Sequence, residues 1–170
     1  MKTYIGIDWG SRINLEDKSA TSVCILKIDE SKSDTPSVND LLGMEIVSIG
    51  SKLYEEQVSE IERLIISENA DGIVADIGYG QVQCQMLQSK FGEKVKSCYY
   101  SPTEIMKYNS DMWMVSVSRD HMIELAMRKV GIPFRRPMIG NNELHALNYA
   151  YIAYVVGLGE ISRKEDVVVA

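Results

Sequence analysis

Tyr4-Ile5-Gly6-Ile7-Asp8-Trp9-Gly10 is a short apolar run that ends in a carboxylate and a glycine, and it decides the fold. Side chains alternate between the two faces of a strand, so Tyr4, Gly6 and Asp8 share one face and Ile5, Ile7 and Trp9 the other. A carboxylate at the end of a buried strand is costly unless it is paired, hydrogen-bonded or bound to a metal. The ends of strands are also where α/β sheets hold ligands. Asp8 is therefore a candidate site residue.

A second run, Gly72-Ile73-Val74-Ala75-Asp76-Ile77-Gly78, repeats this pattern and places Asp76 at its end. Between the two runs, segments 21–28 and 41–49 are rich in strand formers. Segment 54–68 then changes to helical spacing, with Val58, Ile61 and Ile65 on one face. The pattern further predicts a helix over 81–90, a strand over 94–100, and helices over 118–130 and 142–156.

The order of these elements predicts an α/β fold with a mixed five-stranded sheet. Three consecutive strands form an antiparallel meander, and a helical crossover then leads to a strand beside the first. Helices flank the sheet. In this arrangement Asp8 and Asp76 lie side by side. On the final helix, Leu144, Leu147 and Tyr151 are expected to lie on the buried side, together with Tyr154 and Val155.

The composition indicates a single domain without a broad nucleic-acid-binding surface. The chain has 170 residues, of which 45% are hydrophobic, and its net charge is -6. We assign residues 1–158 to the domain and 159–170 to a charged, then apolar tail. Three widely spaced cysteines suggest neither disulfides nor a zinc site. No secretion signal or membrane-spanning run is evident, which favours an intracellular, unsecreted protein.

Two carboxylates at neighbouring strand ends repel each other unless cations intervene. Mg²⁺ and Mn²⁺ prefer such oxygen ligands. Two of these ions, roughly 3.5–4 Å apart, can activate water and stabilise both oxygens of a phosphoryl displacement. The pair Asp8 and Asp76 therefore favours hydrolysis of a phosphodiester with two divalent ions.

The blocks YIGIDWG, VADIGYG and HALNYAYIAY, in this order, resemble the nuclease domain of the large terminase subunit of tailed phages, a member of the RNase H-like superfamily. The helix VSVSRDHMIELAM resembles the segment before the last catalytic block of that family. This resemblance implies an endonuclease that cuts double-stranded viral DNA concatemers during genome packaging. It also implies that Asp8 and Asp76 hold the catalytic Mg²⁺ or Mn²⁺.

The last block departs from that family, whose members usually have an aspartate where this chain has His145. We predict that His145 is catalytic and binds a metal through its neutral imidazole, or moves a proton. Glu143 is the second candidate, although it lies about 200° away around the helix. Asn141 and Asn148 share a face with His145 and are auxiliary candidates for contacts to metal-bound water or phosphate.

The resemblance also implies partners. A large terminase subunit has an ATPase motor, but the sequence contains no Gly-x-x-x-x-Gly-Lys-Ser/Thr phosphate loop. The motor domain of the same polypeptide would then lie upstream of Met1, and the portal and the small terminase subunit would be further partners. The expected location is the host cell cytoplasm, within the viral packaging complex.

Weaker candidates come from the loops. Arg12, Arg135 and Arg136 could hold DNA phosphates, although loop arginines are usually just solvated. Asp17 could approach the site from its loop.

Three other functions remain open from the sequence. A Holliday-junction resolvase of the RuvC type also begins with an aspartate on a strand, and would act as a dimer on branched DNA. A sugar-kinase or actin-like ATPase has a similar opening run, but needs two lobes around its nucleotide. A non-catalytic packaging module would keep the fold and lack the chemistry, which the missing third aspartate would explain.

Overall fold

The computed structural model describes residues 1–10, 20–29, 41–50, 53–130 and 141–157, and within these ranges it contains seven strands and four α-helices. In chain order the elements are β1 (Lys2–Asp8), β2 (Thr21–Ile28), β3 (Leu41–Ile49), α1 (Tyr54–Ser67), β4 (Gly72–Asp76), α2 (Gln81–Phe91), β5 (Val95–Tyr100), β6 (Met106–Asn109), β7 (Met114–Val117), α3 (Arg119–Val130) and α4 (Asn141–Gly157). A short 3₁₀ turn, Gly92–Lys94, precedes β5.

The strands form one mixed sheet in the order β3-β2-β1-β4-β5-β7-β6. The first three strands pair antiparallel, which confirms the predicted meander. Strand β4 then pairs parallel with β1 after the α1 crossover, and β5 and β7 continue the parallel part of the sheet. The predicted α/β fold with a mixed sheet flanked by helices is therefore confirmed.

The predicted number of five strands was wrong, because β6 and β7 form an additional antiparallel hairpin at the edge of the sheet. Each of these strands has only four residues, too few to show a clear period. The turn between them is stabilised by Asn109, whose Oδ1 accepts hydrogen bonds from the backbone N–H groups of Asp111 (3.0 Å) and Met112 (3.2 Å). Trp113 then adopts a positive φ of 49°.

The alternation of side chains along β1 separates two hydrophobic cores, one on each face of the sheet. Ile5, Ile7 and Trp9 pack with the buried residues of α1 and α2. Tyr4 lies in the other core, which is filled mainly by α3 and α4. The faces predicted for β1 are thus confirmed, and Asp8 lies on the same side of the sheet as α4.

Helix α4 is buried around its whole circumference from His145 to Val155, rather than along one side as predicted. Leu144, which was expected to be buried, is only half-buried. A helix that is apolar on all sides belongs in a core. At Gly6 of β1 an added Cβ would collide with the carbonyl oxygen of Ala146 and the amide nitrogen of Ala150, so the α4 backbone lies directly against the strand. No helix in the described ranges is both long and apolar enough to cross a bilayer.

Candidate functional site

Asp8 and Asp76 end two adjacent parallel strands. The register of β1 and β4 runs from Tyr4 opposite Gly72 to Ile7 opposite Ala75, so the next residue on each strand is an aspartate. Both aspartates are half-buried. The Asp76 carboxylate also accepts a hydrogen bond of 3.0 Å from the backbone N–H of Gly78, which anchors one of its oxygens in the turn after β4. The topology therefore brings the two carboxylates to one edge of the sheet.

Burial is the main cause that raises the pKa of Asp8, from an ordinary value of 3.8 to about 7, and the negative charge of Asp76 raises it further. An ionised Asp8 is therefore unfavourable in the metal-free protein near neutral pH. A cation between the two carboxylates would remove both penalties, because it replaces lost hydration and cancels the repulsion.

The raised pKa of Asp8 predicts that the metal-free protein loses stability as the pH rises. Folded Asp8 binds its proton more tightly than unfolded Asp8, so folding takes up a proton between about pH 4 and about pH 7, and the free energy of unfolding falls across this range. The expected loss is on the order of 2 kcal/mol. This is half of what a rise in pKa from 3.8 to about 7 implies, because Asp8 is only partly buried.

Denaturant unfolding in EDTA at about pH 5 and about pH 8 measures this loss, with Asp8→Asn as the control. Asp8→Asn lacks the titrating group, so its stability should change less with pH than that of the native protein. Parallel pH profiles for the two proteins would contradict the expectation.

The two carboxylates open into a pocket of about 400 Å³ beneath the start of α4. Its walls are aromatic and polar, with one guanidinium. The residues that line the pocket are Asp8, Trp9, Asp76, Gly78, Tyr79, Tyr100, Arg119, Asn142, His145 and Tyr149. The pocket thus contains two carboxyl groups that can bind a cation, an arginine that can bind an anion, and aromatic rings that can stack on a ligand.

His145 is held at the back of this pocket by Tyr100 of β5. The Tyr100 hydroxyl lies 2.6 Å from Nδ1 of His145 and 3.5 Å from Nδ2 of Asn148. Burial lowers the pKa of His145, and the nearby charge of Arg119 lowers it further, whereas Asp76 acts in the opposite direction. Burial also raises the pKa of Tyr100 to about 12. Both rings are therefore uncharged at neutral pH.

The comparisons with known proteins show the fold. No protein-family model matches the chain, and no curated protein matches its sequence. The structure of RuvC from Thermus thermophilus superposes with a TM-score of 0.54 at 14% identity, over 96% of this chain and 99% of RuvC. The fold is RNase H-like, as in RuvC. The T. thermophilus RuvC bound to a Holliday junction substrate has a TM-score of 0.49 at 12% identity, over 94% and 97% of the two chains.

Within this RNase H-like fold, the structure brings together three of the four residues predicted to be catalytic. Asp8, Asp76 and His145 line one pocket, whereas Glu143 is half-buried and does not line it. Asn148 is fully buried behind the pocket, beside Tyr100. The catalytic roles of these residues stay predictions.

Several predicted residues lie outside the part of the chain that the structure describes. These are Arg12, Asp17, Arg135, Arg136 and the side chain of Asn141.

Several residues of the pocket were not predicted from the sequence. Arg119 begins α3 directly after β7, and it could not be placed while that strand was unrecognised. Tyr100 and Tyr149 belong to a strand and a helix that were recognised, but no sequence spacing indicates that their rings stack, with centroids 5.8 Å apart. Asn142 lies next to the predicted Asn141, so the region was recognised although the residue was not.

The described residues fit a divalent cation only in part. Asp8 and Asp76 supply oxygen ligands at adjacent strand ends, and their mutual repulsion favours a cation between them. However, no group of three or more His, Cys, Asp or Glu side chains that could hold a metal is found within the described residues. The two aspartates would therefore bind the ion together with water or substrate oxygens, which is usual for Mg²⁺.

Proposed function

We propose that the protein is a metal-dependent endonuclease that resolves branched DNA, a resolvase of the RuvC type. The observation that carries this proposal is the pair Asp8 and Asp76 at adjoining strand ends of a RuvC-like fold. T. thermophilus RuvC has been observed in complex with a Holliday junction substrate. The substrate class would be four-way junction DNA, and the reaction would be phosphodiester hydrolysis.

The chain's own residues would bind and orient the scissile phosphate. Asp8 and Asp76 would hold Mg²⁺ or Mn²⁺, which supplies Lewis acidity and an activated water when bound. Arg119, which lines the same pocket, would offer its guanidinium to phosphate oxygens. This local positive charge matters because the net charge of the chain is -6, so the molecule as a whole does not attract DNA.

Tyr79 is the aromatic side chain of the pocket that would contact the sugars and bases beside the scissile bond, because Trp9 is packed in the core. Trp9 is buried, with its ring against Gly80, where an added Cβ would collide with it. Tyr79 is 66% exposed, so its ring is accessible to an unstacked base. A branched substrate offers such bases more readily than a continuous duplex does, which favours junction DNA.

The terminase nuclease is the second candidate. It is favoured by the order of the three sequence blocks that contain Asp8, Asp76 and His145. We rank it below the resolvase because the likeness to RuvC extends over nearly the whole of both chains. The ATPase motor, portal and small terminase subunit belong to this second candidate and stay predictions.

Cleavage of matched DNA substrates tests the function. A four-way junction and linear duplexes with the same arm sequences are incubated with the protein in Mg²⁺ or Mn²⁺. We expect nicks close to the branch point of the junction and at least tenfold slower cleavage of the duplexes. Equal cleavage of both substrates would contradict the resolvase and favour the terminase candidate. Binding of the junction without cleavage at any metal concentration would favour a non-catalytic module.

A further inference from the structure

The first turn of α2 contacts both of the strand ends that carry Asp8 and Asp76. Trp9, directly after Asp8, packs its indole ring against Gly80, where α2 starts. An added Cβ at Gly80 would collide with Cδ1 and Nε1 of the ring and would lie 2.6 Å from Cγ. One helical turn further, the Sγ–H of Cys84 donates a hydrogen bond of 3.4 Å to the backbone carbonyl of Asp76. The same helical turn therefore supports the ends of both β1 and β4.

The indole ring of Trp9 has little freedom to move. It is 3% exposed and belongs to the core that the sheet forms with α1 and α2. The chain before it lies in β1, which pairs with a strand on each side. The chain after it is held by Gly10, whose backbone N–H donates a buried hydrogen bond of 3.0 Å to Oγ1 of Thr21. Because cores are close-packed, a rigid ring held in this way fixes the position of the helix against it.

The turn between β4 and α2 connects the position of this helix to the Asp76 carboxyl group. Ile77 donates its backbone N–H to a carbonyl oxygen of β5 at 2.9 Å, which holds the start of the turn. The next residue, Gly78, donates its N–H to the Asp76 carboxylate at 3.0 Å. A single residue separates Gly78 from Gly80, so the connection has little slack. A displacement of α2 would therefore move the group that holds the Asp76 side chain.

We propose that Trp9 is a positioning residue: by supporting the first turn of α2, it sets the separation of the Asp8 and Asp76 carboxyl groups and thereby their joint affinity for a divalent cation. The indole N–H can only donate a hydrogen bond, so Trp9 acts through the backbone that it supports and not as a ligand. The inference rests on the proposed function for the use of the cation. Binding of the cation is measured without DNA.

Mn²⁺ binding to the metal-free protein, followed by the electron paramagnetic resonance signal of the free ion, tests this role. Gly80→Ala introduces the collision with Trp9 and should weaken Mn²⁺ binding about tenfold, as loss of a support behind metal ligands commonly does. Trp9→Leu removes the ring and should weaken binding to a similar degree. In the double variant the flexible leucine makes room for the added methyl group, so the combined loss should be about tenfold instead of about a hundredfold.

Two further variants separate positioning from stability. Val58→Ala leaves a cavity on α1, in the same core as Trp9, so it should lower the stability of the protein but keep the native Mn²⁺ affinity. Cys84→Ala keeps the contact between Trp9 and Gly80 but loses the hydrogen bond to the carbonyl of Asp76. We expect about threefold weaker Mn²⁺ binding in Cys84→Ala, as for loss of one hydrogen bond.

Native Mn²⁺ affinity in folded Gly80→Ala would overturn the proposal, and so would a double variant in which the two single losses multiply. If Gly80→Ala does not fold, Cys84→Ala decides, because unchanged affinity in that variant would show that α2 does not act on Asp76. Absence of Mn²⁺ binding to the native protein would also overturn the proposal. Failure of the proposed function gives a different result, in which the variants weaken Mn²⁺ binding as expected but the native protein cleaves no junction.

Discussion

Asp8→Asn and Asp76→Asn should each lower kcat for junction cleavage by about a thousandfold. Each change replaces a carboxylate by a neutral amide at the edge of the sheet where the two aspartates meet. An amide binds a hard divalent ion far more weakly than a carboxylate does. Each substitution also leaves only one of the two carboxylates that would bind the ion. Single-turnover cleavage of a labelled junction at saturating Mg²⁺ measures the effect.

The same variants should keep their affinity for the junction when no metal is present. Each substitution replaces an ionisable carboxyl group by a neutral amide in a pocket that receives phosphates, so electrostatic repulsion of the DNA does not increase. Binding measured in EDTA should therefore be equal to or tighter than that of the native protein. This result separates a loss of chemistry from a loss of fold.

Asp111→Asn is the matched control for these substitutions. Asp111 is exposed in the turn between β6 and β7. Its hydrogen bond to Asn109 is made by the backbone N–H, which the substitution leaves in place. We expect this variant to cleave at the native rate. Activity within threefold of native in Asp8→Asn or Asp76→Asn would show that neither carboxylate holds a catalytic ion.

Much of the fold follows from the sequence because its signals are local. The runs 4–10 and 72–78 are both short apolar stretches typical of strands, and each has an aspartate near its end. The helical period between them requires a crossover, and crossovers place parallel strands side by side. These rules suffice to bring Asp8 and Asp76 to one edge of the sheet, which the register of β1 and β4 shows.

The rest of the pocket depends on contacts that no local pattern contains. Arg119 is positioned by the β6–β7 hairpin, whose strands are too short for their period to be recognised. Tyr100 meets His145 only because β5 and α4 approach each other across the core, 45 residues apart in the chain. Such pairings arise from packing, which the sequence does not show directly.

The burial of α4 on all sides was missed for a related reason. Helical periodicity predicts a single buried stripe, but a helix without a polar face gives little periodic signal. His145 and Asn148 on α4 are instead turned towards Tyr100, which lies within hydrogen-bond distance of Nδ1 of His145 and Nδ2 of Asn148. The polar positions of this helix therefore indicate the site rather than the solvent.

Gly6→Ala should destabilise the protein by roughly 3 kcal/mol or more, the largest effect that we expect for a single methyl group. The added Cβ would collide with the carbonyl oxygen of Ala146 and the amide nitrogen of Ala150, and it would lie 2.8 Å from the carbonyl carbon of Tyr149. These are backbone atoms, so no rotamer change can relieve the clash. Helix α4 must move away from β1, and His145 would move with it.

Denaturant unfolding, with one m value fitted to all variants, measures the loss of stability in Gly6→Ala. The matched control is Gly43→Ala in β3, where an added Cβ meets nothing within 4 Å. Because alanine restricts the unfolded chain, this control should be neutral or stabilising by about 0.5 kcal/mol. If Gly6→Ala unfolds within about 1 kcal/mol of the native protein, then α4 does not lie against β1 as closely as the structure requires. The hydrogen bond between Tyr100 and His145 would then lose its structural basis, since the position of α4 is what brings the two side chains together.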